Sequence, residues 1–239
     1  MLALEVRDAR GALVRRFTSR GAGERQAPVA ANMRRPEVEA LGTPRLDAGP
    51  GAHRFVWDLA HPGPVDAASP RSGRNGPLAA PGRYTVRLAW EDTAGTAAWS
   101  QERPLVVEPD PRALADGMTP ALFEAQLAHH LRARELATEA NALAARLRAA
   151  GARRPAPGEP ADTSALGRLA AAVLAEPVRY GRPGLQAQAQ YLYGLGLAAD
   201  QPIGRDAAER YAELRRALDA RRREADALLG PAAARQAAR

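Results

Sequence analysis

The side chains able to do chemistry are few and scattered along the chain. Histidine occurs four times, at His53, His61, His129 and His130. The last two are adjacent within a stretch of helical periodicity, so their imidazoles diverge by about 100° around the axis and cannot hold one ion as an i, i+4 pair does. One is expected to face a helical interior and the other solvent. His53 and His61 bracket an alternating segment around Trp57 without a cluster of carboxylates at ligand spacing. Acid–base cleavage of a glycoside needs two carboxyl groups opposed across a cleft. Asp58 and Asp66 lie by one Gly/Pro-rich stretch and Glu37, Glu39 and Asp47 in another irregular segment, with no spacing that pairs them. Gly181, Gly184, Gly194 and Gly196 lack the strand-turn-helix setting and the lysine of a phosphate-binding loop. Cysteine is absent, which excludes disulfides, thiolate zinc sites and cysteine nucleophiles together. These residues therefore assign no catalytic, cofactor-binding or metal position, and no cofactor is expected.

Composition narrows the partners. The 34 basic residues outnumber 27 acidic ones, for a formal charge of +7, yet every basic residue is Arg, as a GC-rich coding sequence would favour. A nucleic-acid binder gathers cations on one face and interleaves aromatic rings. Here Arg sits among acids, as in Arg132, Arg134, Glu135 and in Arg205, Asp206, Glu209, Arg210, and the run Arg221 to Glu224 reads as a solvated helix face. No nucleic-acid partner is expected. The longest apolar run, Leu169 to Ala175, falls far short of the roughly 20 residues a membrane span needs. The N-terminal MLALEVRDARG lacks the basic start, long apolar centre and cleavage site of a signal peptide. Its alternation reads as a strand already under way, from which an upstream portion is expected.

What the sequence does specify is two packing patterns. Leu2 to Val6 and Leu13 to Phe17 flank Asp8-Ala9-Arg10-Gly11, a turn whose glycine can take positive φ, so a hairpin is predicted. Phe55, Trp57 and Leu59 alternate along a strand from Arg54 to Leu59, and Tyr84, Val86, Leu88 and Trp90 along Arg83 to Trp90. Asp92 to Gly95 is a second turn, followed by strands at Ala97 to Arg103 and Leu105 to Glu108. Arg20 to Gly51 and His61 to Pro81, rich in Gly and Pro, are expected to be irregular. The sum is five or six short antiparallel strands, an immunoglobulin-like or fibronectin-like β-sandwich with Trp57, Tyr84 and Trp90 as core anchors.

After Pro111 the spacing becomes helical. Thr119-Pro120 is a helix start, because the hydroxyl caps free amides and proline at the first position gives up no bond it could have made. The predicted helices run to about Ala150, then from Thr163 to Glu176, Leu185 to Leu197, and Arg205 to Leu229, the last opening on a capping-box spacing of Asp206 and Glu209. Phe123, Leu127, Tyr193 and Tyr211 are expected to hold them together as a bundle. The predicted organisation is therefore α+β in two modules: a sandwich over 1–110, a linker over 111–118, an all-α bundle over 119–230 and a disordered tail over 231–239.

FVWDL at Phe55 to Leu59, GPLAAPGRYTVRL at Gly76 to Leu88 and PLVVEPDPR at Pro104 to Arg112 resemble the C-terminal region of bacterial sortilin-like, BNR-repeat β-propeller proteins, often labelled glycosyl hydrolase or exo-sialidase-like. LFEAQLAHHLRARELATEANAL at Leu122 to Leu143 and YLYGLGLAAD at Tyr191 to Asp200 are similar to the helical tail of the same family, and LEVRDARGALVRRF at Leu4 to Phe17 to the Ig-like domain of flagellar hook-capping proteins. The resemblance covers nearly the whole chain. It implies an Ig-like domain lacking its first strand, an upstream propeller that carries any glycan site, and a periplasmic or extracellular setting. The implied role is a non-catalytic accessory module that docks on the propeller or a partner protein, or on a glycan. The alternatives are part of a secreted sialidase-like hydrolase, or a free-standing cell-envelope binding module.

Two constellations belong to that family's chemistry. A propeller Asp-box places Asp two residues before Gly; Asp92 and Gly95 are three apart, so an ordinary hairpin turn with Trp99 partly buried is the expectation. Sialidase chemistry uses a tyrosine nucleophile beside a carboxylate, with arginines for the substrate. Tyr180, Tyr191, Tyr193 and Tyr211 fall at spacings that suit packing between Ala-rich helices instead.

Overall fold

A computed structural model describes residues 1–19, 44–69, 72–152, 162–174 and 181–231. The chain divides into two units, Met1–Leu131 with Ala199–Pro202, and Arg132–Ala198 with Ile203–Arg239. The first holds strands β1 (Leu2–Asp8), β2 (Leu13–Thr18), β3 (Gly82–Glu91) and β4 (Ala97–Val107), a short helix α1 (Pro111–Ala115), and the start of α2 (Pro120–Ala149). The second holds the rest of α2, with α3 (Ala165–Leu174), α4 (Leu185–Gly196) and α5 (Arg205–Leu229).

The same turn chemistry closes both hairpins of the sheet. Asp8 accepts the amides of Arg10 and Ala12 at 2.9 and 2.8 Å, its own N–H donates to the Ala12 carbonyl, and Gly11 supplies φ 79°. Asp92 repeats this with Ala94 and Thr96 at 2.9 and 2.8 Å, and Gly95 supplies φ 83°. A short polar side chain that bonds its own turn, plus a residue free to enter the left-handed region, makes the reversal cheap. The four strands are antiparallel in the order β2-β1-β3-β4.

One face of the sheet is apolar and carries Leu4, Val6, Tyr84, Val86, Leu105 and Val107, packed with Val14, Ala79 and Trp57. Among the described residues this layer is one sheet covered by an irregular segment, not two facing sheets. The strand expected at Arg54 to Leu59 does not form: among the described residues its one ladder pairing is an isolated bridge just beyond it, Ala60 to Leu78. Leu59 takes φ 58°, Asp58 accepts the Ala60 amide at 3.1 Å, and the Trp57 indole donates to the Ala60 carbonyl at 3.1 Å. A left-handed residue ends the two-residue alternation, so Leu59 turns outward at 40 % exposure and is not a core residue. Trp57 still packs edge-on against Tyr84, ring centroids 6.1 Å apart, and Phe55 tilts onto Phe17 at 4.6 Å.

The Gly/Pro-rich stretch after His61 closes on itself through backbone bonds, His61 N–H to Pro77 O and Gly63 N–H to Gly73 O. At the far edge, the two strands expected around Pro104 are one continuous β4. Proline lacks a ladder donor, and an edge strand tolerates that because one row of its backbone groups has no partner strand.

In the helical unit, Leu136, Ala140, Leu143, Ala144 and Leu147 form a stripe on α2 that packs with Leu169, Ala170 and Val173 of α3, Leu185, Ala189 and Leu192 of α4, and Leu214, Leu218 and Ala225 of α5. Alanine at alternate contacts leaves room for the leucines of the facing helix. Arg215 on α5 forks onto Glu139 of α2 with both contacts at 2.9 Å. The buried Asn141 accepts from Gln186 and Gln190 of α4 at 3.0 and 2.7 Å. These polar clips fix the helices in register where leucine contacts alone would let them slide.

Helix starts match expectation only in part, the helix predicted from Thr163 beginning at Ala165. Thr119 caps as anticipated, accepting the Leu122 amide at 3.3 Å with Pro120 first in the helix. The Asp206–Glu209 capping box does not form: Gly204 is the cap residue, without a side-chain bond, and Glu209 pairs with Arg205 instead. Residues 111–115, expected within a linker, make a helical turn capped by Asp110 on the Arg112 amide. The unit boundary falls at Leu131, later than the predicted division near residue 110. The tail and most of the break after Gly151 lie outside the described residues, as do Tyr180, Glu37 and Glu39.

Candidate functional site

Ladder register turns the alternation of the apolar face into rows that cross the strands. Asp8, Tyr84 and Leu105 form one row, Val6, Val86 and Arg103 the next, then Leu4, Leu88 and Gln101, and last Leu2, Trp90 and Trp99. Along β3, exposure rises through the series. Tyr84 is buried, its hydroxyl donating to the Ala80 carbonyl at 2.5 Å, and burial raises its pKa above the ordinary phenol value. Val86 and Leu88 are half-buried. Trp90 and Trp99 are each 50 % exposed.

Trp90, expected as a core anchor, thus lies at the surface. Trp57 and Ala79 pack on the Tyr84 end of the face, whereas the tryptophan row stands at the other end of the same strands. Two indoles side by side on rigid strands bring large apolar area and two N–H donors to one spot, with Gln101 on the adjoining row of β4 and Arg103 on the row beyond it. That arrangement can bind a flat or apolar surface; it carries no nucleophile. The Asp92 carboxylate beside it is consumed by its own turn.

The reverse face is charged, and its charges are matched by register. Arg16, Glu5, Arg87 and Glu102 occupy one row across β2, β1, β3 and β4, alternating in sign. Glu5 is only 5 % exposed and meets Arg7 at 2.9 Å and Arg16 and Arg87 at 3.5 Å, while Arg16 also reaches the buried Glu91 at 2.5 Å. Three guanidinium groups around one carboxylate orient it and tie the strands of this face together, as a structural brace does.

The remaining candidates do not converge. Both histidines of the α2 pair are buried, in place of one buried and one exposed, with rings 6.2 Å apart and edge-on. Among the described residues the Nε2 of His130 has no hydrogen-bond partner, and burial, helped by the neighbouring His129, lowers its pKa to about 4. His53 contacts Asp47 at 3.3 Å on the surface. Among the described residues no three His, Asp or Glu side chains gather as a metal site would require. Phe123 is buried with Ala113 and Met118, and Leu127 is half-buried.

The tyrosines of the helical unit separate by environment. Tyr193 is buried against Ala133 and Ala137, and burial pushes its phenol up to about 12, the opposite of what a nucleophile requires. Tyr211 is half-buried with the Arg132 guanidinium 5.5 Å over its ring. Tyr191 is 69 % exposed, a surface aromatic the sequence did not set apart from its neighbours. No helix among the described residues is long and apolar enough to cross a membrane.

Comparison of the chain with protein-family models, with curated proteins and with solved structures returned no match.

Proposed function

We propose that this chain is a binding module: its sheet unit docks a partner protein through the Trp90–Trp99 row, as expected of an accessory region of a sortilin-like β-propeller protein, and its helical unit packs as a bundle that mediates association. The reading takes the sheet unit as an Ig-like domain. The observation that carries it is the half-exposed tryptophan pair at one end of the sheet face that bears the apolar core. Aromatic side chains fixed on strands give large contact area at small entropic cost, which is why they dominate interface hot spots.

A second reading, glycan recognition, draws on the same indoles, because their flat faces match the C–H faces of sugar rings and Gln101 and Arg103 supply hydrogen-bonding groups nearby. Calorimetric titration of the whole chain with a purified β-propeller domain from the same genome, alongside a panel of soluble oligosaccharides, separates the two. Binding to the propeller that is lost in Trp90→Ala and Trp99→Ala supports docking. Saturable oligosaccharide binding lost in the same variants moves the assignment to glycans, and glycoside turnover abolished by a point substitution would overturn both.

A further inference from the structure

We propose that the outer face of α4 is a docking groove for an acidic amphipathic helix of a partner protein, independent of the sheet's tryptophans. The groove encloses about 960 Å³ and lies wholly in the helical unit. The inner face of α4 is spent on the core through Leu185, Ala189 and Leu192. Its outer face carries Tyr191 and Leu195, one helical turn apart, 69 % and 52 % exposed. Residues four apart on a helix lie on one stripe about 6 Å long, the spacing that a second amphipathic helix presents from its own i, i+4 positions.

The polar lining decides the charge of the occupant. Arg182 and Arg210 both line the groove, and no acidic side chain does among the described residues. Arg210 is held in place by Gln188, whose Oε1 accepts from it at 2.5 Å while its Nε2 donates to the Pro183 carbonyl at 2.5 Å; the other end of the guanidinium meets Glu213 at 2.8 Å. A groove with an apolar floor and two arginines at its polar edge, Arg182 exposed and Arg210 shared with Glu213, is complemented by an apolar ridge flanked by carboxylates. Nucleic acid would need a run of cations along a backbone track, and two arginines with one exposed tyrosine do not make one.

The test uses the full chain and three labelled peptides: a helix-forming Glu/Leu peptide with leucines at i, i+3, i+4 and i+7, the same peptide with Lys for Glu, and a scrambled Glu/Leu sequence, read by fluorescence anisotropy. The acidic amphipathic peptide is expected to bind saturably and more weakly as salt rises, and the Lys and scrambled peptides to bind at least about tenfold less well. Tyr191→Ala and Leu195→Ser should each weaken binding about tenfold with the helical circular dichroism unchanged, since both side chains are exposed. Arg182→Glu should weaken the acidic peptide and strengthen the Lys peptide, whereas Trp90→Ala should change neither. Absence of binding by the acidic peptide, equal binding of all three, or affinities within about twofold of the parent in all three groove variants overturns the proposal. Those outcomes leave the sheet reading untouched, because its own test uses different residues and probes.

Discussion

Trp90 and Trp99 stand directly opposite each other in the β3–β4 ladder, and each leaves half of its surface in solvent. Side chains directly opposite on neighbouring antiparallel strands have Cβ atoms only about 5 Å apart, so the ladder fixes the two indoles as a unit. Replacing either with alanine removes little buried area, and the expected loss of stability is about 1 kcal/mol or less by urea unfolding. The third tryptophan, Trp57, packs against Tyr84 and bonds Ala60. Acrylamide should therefore quench the parent protein strongly and the Trp90→Phe/Trp99→Phe double variant weakly, with bluer emission in the variant. Equal quenching in both would show that the pair is covered.

Glu5 is the hub of the charged face, and its removal takes a shared carboxylate from three guanidinium groups that it faces within 3.5 Å, although Arg16 keeps Glu91 and Arg87 keeps Glu102. Glu5→Gln keeps the volume but loses the charge. Because the arginines are partly exposed, at 23 to 38 % of their side-chain surface, water relieves part of the cost, and the expected destabilisation is about 1–3 kcal/mol. Glu102→Gln, whose carboxylate is 59 % exposed and 3.9 Å from Arg87, should change the unfolding midpoint hardly at all.

Two glycines of the covering segment have no room for a side chain. A Cβ on Gly63 would sit 1.7 Å from the Arg74 carbonyl oxygen, and one on Gly76 would sit 1.7 Å from that of His61. Neither neighbour is a flexible side chain, so backbone must move. Gly63→Ala and Gly76→Ala are each expected to cost about 2–3 kcal/mol. Gly194 on α4 faces open space, and Gly194→Ala should instead stabilise by up to about 1 kcal/mol. Thermal melts of the three variants give opposite signs if the packing is as described.

His130 makes stability pH-dependent. Its folded pKa of about 4 lies below the ordinary 6.5, so the unfolded chain takes up a proton that the folded protein refuses. The contribution is complete above about pH 6.5 and is lost as pH falls toward 4, on the order of 3 kcal/mol in all. His130→Leu should flatten the stability profile over that window. At neutral pH it should cost little, because it removes a buried ring nitrogen that has no partner among the described residues. An unchanged slope between pH 6.5 and 4 would assign the acid sensitivity elsewhere.

The sequence by itself determined the local rules. The Asp-x-x-Gly turns at Asp8 and Asp92, the alternation along β1, β2 and β3, and the Thr119-Pro120 helix start all follow from φ preferences and side-chain-to-backbone bonds within a few residues. The apolar spacing of α2 from Leu136 to Leu147 likewise marked the buried stripe that its helix presents. Tertiary structure decided what depends on partners far along the chain. Periodicity placed Phe55, Trp57 and Leu59 on a strand, yet the left-handed turn at Leu59 and the lack of a ladder partner made that segment a cover. Alternation put Tyr84 and Trp90 on one face, but which end the cover reaches buried one and exposed the other. Register across four strands, invisible in composition, aligned Arg16, Glu5, Arg87 and Glu102 into one alternating row. Each of these outcomes is set by long-range contacts, and a linear pattern records only which faces are apolar, not what arrives to cover them.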